Sequence, residues 1–554
     1  MPYLLLVEFL VVEALACCAI LALIGRMRAS WARWLSLLIL AGTGFGIAAF
    51  LQMVTADSYF FGTIYSPWSF DGGLPTFRLF MHGASFGLLV FPPLIGVMAL
   101  RRSKNGKSAC KAQSWPIGRC LGITGFCLTV LAVTVAGQDY LLRRQLRNAT
   151  ESTALANFWK DAAVENNGYC HFHRAVELAR QQNDQVNQLI VDGRISLTFS
   201  PDEKSSWKKY FAANEEIGVL CDRAGLSREY SPRVQDEIVL TDVEDTEELP
   251  HWKMLGRFLL LEGHFYLSSH NPGQAYQAIA RLRRLAEALA KDGRYIHVIA
   301  SASIEDYAFH LLERAINTRP PTSQEADLLK GSGVDYAAAL DRAVTWCEIE
   351  YMAQLRGIYL EGRDDYHDES IYLQNPLREI GLVYLRLFYA ADDINSAREH
   401  FAWWHEYSSR DFSATYALGS GRESPWPGGG NGFGRRGGRL ITLIFPAAKL
   451  SIDAMARAEA RRRLADSAID LTQDLPTLDL AKIKTRLSVS ALRKDPFDDQ
   501  PLRHLNKANG LILYSIQADL EDNKGTEQID RFSDGDIILC LGGPYIERRV
   551  LAGK

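Results

Sequence analysis

Cysteine is scarce in this chain. Nine occur in 554 residues, and past residue 140 only Cys170, Cys221, Cys347 and Cys540 remain. They form no CxxC pair, so buried free thiols are the simplest reading. A dominant charge is also missing. Net charge is −4 and the isoelectric point is near 6.3, which gives no sign of nucleic-acid binding. No Lys or Arg precedes Arg26, so the chain lacks the basic start of a signal peptide. No stretch of the sequence completes a catalytic motif.

Charge is thinnest at the start, where four apolar runs cover 3–25, 34–54, 79–100 and 120–137. Each is about long enough to cross ~30 Å of hydrocarbon as a helix. They predict a four-helix transmembrane domain over 1–140. The first link carries Arg26, Arg28 and Arg33, and the third carries six basic residues from Arg101 to Arg119. The link 55–77 carries none. The positive-inside rule then puts both basic links in the cytoplasm and the following body in the periplasm. Arg143, Arg144 and Arg147 argue the opposite way. Glu8, Glu13 and His82 inside the runs suit either an ion path or contacts with partner helices.

A helical period runs through 150–418. Leu255, Phe258, Leu259 and Phe265 share one face, and Asn271-Pro272-Gly273 stops that helix. The next uses Ala275, Ile279, Leu282, Leu285 and Leu289, with Arg281, Arg283 and Arg284 close by. A third covers 295–316 and ends before Pro320 and Pro321. Such pairs predict an irregular array of helical hairpins, and Trp252-Lys-Met-Leu255-Gly256 resembles the start of a tetratricopeptide unit. The Gly-rich stretch 419–438 reads as a linker, 439–490 as a helix and connector, and 491–554 as a small tail module. Gly510–Ser515 and 536–541 suit the two strands of a β-hairpin. The predicted fold class is therefore mainly α: a four-helix transmembrane anchor, a helical-hairpin body and a C-terminal β-hairpin module.

Three polar clusters invite chemistry. Cys170-His171-Phe172-His173 holds metal-type ligands, but its surroundings are helical and the two His would then face apart. Asp364, Asp365, His367, Asp368 and Glu369 could supply a general base, yet no nucleophile elbow or HExxH accompanies them. Trp403, Trp404, His405 and Tyr407 form either a partner-binding patch or part of the core. The run Asp242-Val-Glu-Asp-Thr-Glu-Glu248 reads as a solvated loop or helix start.

Asp495-Pro496-Phe497, Pro501-Leu502-Arg503, Leu513-Tyr514-Ser515, Asp519 and Asp536-Ile537 resemble the C-terminal calcium loop of the major pseudopilins of type II secretion. That resemblance implies Ca²⁺ held by Ser515, Asp519 and Asp536. Gln517 and Leu520 stand where that family has glycine, and four apolar runs with no prepilin cleavage site separate the chain from pilins. The layout after Arg147 also resembles a broad group of uncharacterised bacterial membrane-anchored proteins, through Ile279-Ala-Arg-Leu-Arg-Arg-Leu285 and the Asp-Pro-Phe…Leu-Tyr-Ser tail. Together these readings imply a multi-pass bacterial inner-membrane protein with a periplasmic body, a non-enzymatic envelope scaffold. Its expected partners are the lipid bilayer and an envelope protein. The alternative is a membrane-bound hydrolase with a dispersed active site.

Overall fold

A computed structural model describes residues 136–148, 166–181, 199–227, 229–231, 249–330, 334–361, 391–408, 411–417, 448–489, 492–507, 510–517, 519–526 and 535–542, with 129, 133, 158, 233–234 and 237–238. The chain divides into two compact units. One joins Met1–Thr153, Glu350–His400 and Pro425–Ile444; the other joins Ala154–Ile349, Phe401–Ser424 and Phe445–Lys554. Most of the helical body and the tail, read from the sequence as consecutive domains, thus share one unit, while 350–400 of the body belongs to the other. In the first unit a helix covers 136–148. Asp139 accepts from Arg143 one turn on at 2.8 Å, and Leu146 is buried.

The second unit is mainly helical and carries a small three-stranded antiparallel sheet. It begins with α1 (Gly168–Gln181), α2 (Pro201–Ala213) and α3 (Glu215–Leu226). A short β1–β2 pair (Arg233–Val234, Glu237–Ile238) precedes three long helices, α4 (Leu249–Ser268), α5 (Pro272–Asp292) and α6 (Tyr295–Thr318). Asn271 caps α5, its side chain accepting from the Gln274 amide, and Pro272 fills the first turn. Gly293 ends α5 at φ 83°, a left-handed position that favours glycine. The helix α6 stops before Pro320, which cannot continue it.

Helix α5 lies at the centre. Arg281 and Arg283 are two residues apart, so they leave opposite sides of the helix. Arg281 reaches Asp222 of α3 and Glu262 of α4. On the other side Arg283 reaches Glu305 of α6 and Asp466 of α11 (Ala448–Thr472). Helix α4 comes close to α6 because Gly263 has no side chain; a Cβ there would sit 2.2 Å from Leu311 Cδ2. Further described helices are α7 (Ser323–Lys330), α10 (Phe412–Ala417) and α12 (Leu480–Val489), together with α8 (Tyr336–Arg356) and α9 (Ala391–Ser408), each of which has residues assigned to both units.

The tail sheet runs β3 (Arg503–Lys507), β4 (Gly510–Ser515), β5 (Ile537–Leu541) in that order. The expected hairpin is thus a three-stranded sheet, with β3 as the added strand. Helix α6 caps the β5 edge through side chains. Glu313 accepts from the Cys540 amide at 2.7 Å, and Asn317 bonds both Cys540 O and Gly542 N. These contacts cover an edge that would otherwise present unpaired backbone groups.

Among the described residues no helix is long and apolar enough to cross a membrane. The long helices show why. Helix α4 carries Lys253, Arg257 and Glu262, and α6 carries Glu305, Asp306, Glu313 and Arg314. Their apolar faces are spent on each other rather than on lipid. The first three apolar runs, with Glu8, Glu13 and His82, lie outside the described residues, as do most of the fourth, the linker 419–438 and the acidic run 242–248.

Candidate functional site

The tail site is organised by Asp495, which is fully buried. Its Oδ1 accepts from Ser515 Oγ at 2.8 Å and from the Phe497 amide at 3.1 Å. Its Oδ2 accepts from the Ile516 amide at 3.0 Å and lies 3.4 Å from Arg503 Nη1. Burial pushes this carboxyl up to about 6 despite those donors. The Asp-Pro-Phe turn is therefore tied to the end of β4 by one carboxylate. Of the three residues that the pseudopilin resemblance implies for calcium, Asp519 and Asp536 lie near enough for the charge of Asp519 to help raise the Asp536 carboxyl, after burial and Asp522. Ser515 donates to Asp495. Asp519 accepts from the Glu521 amide at 3.1 Å. Asp536 accepts from Gly525 N at 2.7 Å and Asn523 N at 3.4 Å, closing the loop before β5. Among the described residues no three His, Cys, Asp or Glu side chains converge as a metal site.

Sequence reasoning missed a second cluster. His405 on α9 sits between two carboxylates of α8, with Nδ1 3.1 Å from Asp341 and Nε2 3.2 Å from Glu348. Ser408 Oγ donates to Asp341 at 2.7 Å. The residue types match a Ser-His-Asp triad, but the connections do not. The serine hydroxyl meets the carboxylate instead of the imidazole, so the His is not placed to take its proton. The arrangement is an ion pair that bridges α8 and α9. Asp341 and Glu348 are seven residues apart, and this spacing puts both carboxylates on one face of α8.

The hydrogen bond to Glu348, then that to Asp341, raise the pKa of His405 against the opposing effect of burial. A raised folded pKa means stability that is full below the unfolded His value of ~6.5. It is lost as pH rises through the folded value. Thermal melts from pH 5 to 9 should show this decline in the wild type and a flatter profile in H405Q; parallel profiles would remove the assignment.

A third cluster is fully internal. Asp292 accepts from Arg294 Nε at 2.8 Å, His297 Nδ1 lies 3.5 Å from it, and Arg294 reaches Tyr169 OH at 3.0 Å. Burial opposes ionisation of Asp292, but Arg294 and His297 hold it below the usual carboxylate range. This group locks the α5–α6 corner to α1.

The other sequence candidates resolve simply. Cys170, His171 and His173 lie on α1, where His173 is 3.9 Å from Glu177 one turn on. Trp404 is in the core and packs edge-on against Trp403 at 5.2 Å. The cluster around His367 lies outside the described residues.

No family model and no solved structure matches the chain. One curated relative is a probable kinetochore protein SPC24 from Gibberella zeae, 34% identical over 102 residues. The match covers 18% of this chain and 49% of the relative. The chain thus spans about half the length of the curated relative it matches. This finding overturns the expectation of a bacterial inner-membrane envelope protein. The similar protein is fungal and belongs to the kinetochore by name, and no described helix can span a bilayer. The lipid bilayer and an envelope protein are withdrawn as partners, and the periplasmic body and the membrane-bound hydrolase fall with them.

Proposed function

We propose that this chain is a protein-binding helical scaffold. Its α4–α5 hairpin and α6 stack in a tetratricopeptide-like manner, and the tail sheet closes one end of the stack. The observation that carries the reading is the outer face of α3. Val219 and Leu226 are 41% and 81% exposed there, seven residues apart and so on one side of the helix. Exposed apolar side chains that share a face suit a protein contact. The buried charges support the same reading, since Arg281, Arg283 and Arg294 are engaged in holding helices together.

The test uses full-length protein at native abundance, tagged in turn at each end. The same partner should co-purify at fixed stoichiometry with both tags. V219D/L226D should lose that partner while melting at the wild-type temperature. Retention of the partner by this variant would place the contact elsewhere; absence of any reproducible partner would overturn the scaffold reading.

A further inference from the structure

Lys253 and Arg257 stand one turn apart on α4, both half-buried. Among the described residues neither has a carboxylate or a hydrogen-bond acceptor, and Arg257 Nε is buried without a partner. Two cations at this spacing lie about 6 Å apart and repel each other. Every other buried arginine described above is matched by a carboxylate, so this pair is an exception within the same fold. Burial, and then the charge of Arg257, lower the pKa of Lys253.

Further basic groups lie on the neighbouring face. Gly256 and Gly263 bring α4 onto Ile304 and Leu311 of α6. Lys253, Arg257 and His264 lie beside that contact, on the side where Arg314 of α6 bonds His264 Nδ1 at 3.0 Å. Burial, then Arg314 and His310, push His264 down to about 3, so it stays neutral. Further along α6, Asp306 meets Arg461 of α11 at 2.9 Å and His310 at 3.2 Å. Burial acts to raise Asp306, yet Arg461, His310 and Arg457 outweigh it and hold it below the usual range.

We infer that Lys253 and Arg257 form the seat for an acidic segment of a protein partner, two carboxylates pairing with the two cations. The inference rests on the scaffold reading and gives its partner a chemistry. Charge complementarity selects the occupant. The half-buried setting selects an extended chain over a bilayer surface or a nucleic-acid duplex, which are too broad to follow one helix edge.

The probe is fluorescein-labelled decaglutamate, titrated into the full chain at low salt and read by anisotropy. Binding should saturate, weaken with added salt, and fall by at least about tenfold in K253Q/R257Q. K208Q/K209Q removes the same charge from the exposed face of α2 and should change affinity by less than about twofold. K253Q/R257Q should melt no lower than wild type, because a repelling pair is removed. No saturable binding, or equal binding by both variants, would overturn the inference. Inorganic phosphate that displaces the peptide at far lower concentration than free glutamate would also overturn it, in favour of a phosphate site. If decaglutamate fails while V219D/L226D still loses the partner, this inference falls and the scaffold reading stands.

Discussion

Replacing Arg283 with Ala should destabilise the second unit by about 3–5 kcal/mol, the usual result of breaking a buried ion pair from one side. The guanidinium is almost wholly buried in the centre of the stack. One arm donates to Leu329 O at 2.9 Å, and another donates to Asp466 at 2.9 Å. Glu305 lies 3.3 Å from Nε. Without the arginine, two carboxylates remain in the core, and the last turn of α7 loses a donor. Arg462 partly compensates at Asp466, which it meets at 3.2 Å, so the penalty concentrates on Glu305. Burial already pushes Glu305 up, and Arg283 is the main opposing influence. R283A should therefore also make Glu305 take up a proton, and its cost should shrink in R283A/E305Q. Urea denaturation of the three proteins measures this. A loss below about 1 kcal/mol in R283A would mean that the cluster does not hold α5, α6 and α11 together.

Trp252→Ala should cost a similar amount, about 3–5 kcal/mol, for a different reason. Its side chain is fully buried at the first turns of α4. It packs against Tyr169 of α1 at 5.4 Å and His297 of α6 at 6.2 Å. Removing the indole opens a cavity where three helices meet, next to the Asp292–Arg294 pair. Among the described residues the indole Nε1 has no hydrogen-bond partner, so the contribution is one of packing. W252F keeps a ring and should cost about 1.5 kcal/mol or less. Equal losses for W252A and W252F would point to a role for the indole N–H that the packing account does not contain.

Much of the helical body was legible because its stops are chemical. Asn271-Pro272 and Pro320-Pro321 bound α5 and α6 where punctuation placed them. The helix expected within 439–490 is α11, Ala448–Thr472. Strand β4 follows its apolar run, whereas β3 went unseen because Arg-His-Leu-Asn-Lys holds a single apolar residue. Its place in the sheet comes from pairing with β4. Buried charges were the least legible part. Arg283 reads as a surface residue until Asp466, 183 positions away, is brought beside it. His405 was legible only as part of an aromatic patch, since its carboxylates lie 57 and 64 residues earlier. The envelope assignment rested on the apolar runs, most of which lie outside the described residues, and on loose motifs after Arg147. Similarity to a fungal kinetochore protein displaced it.

The central claim is that the helical stack works by holding a protein partner. Cross-linking of the native complex with a lysine-reactive reagent, followed by mass spectrometry, tests it most directly. The account predicts links from Lys204, Lys208 and Lys209 on α2 and from Lys253 on α4 to one and the same partner chain, with V219D/L226D abolishing them. Links confined to this chain itself, unchanged in the variant, would contradict it.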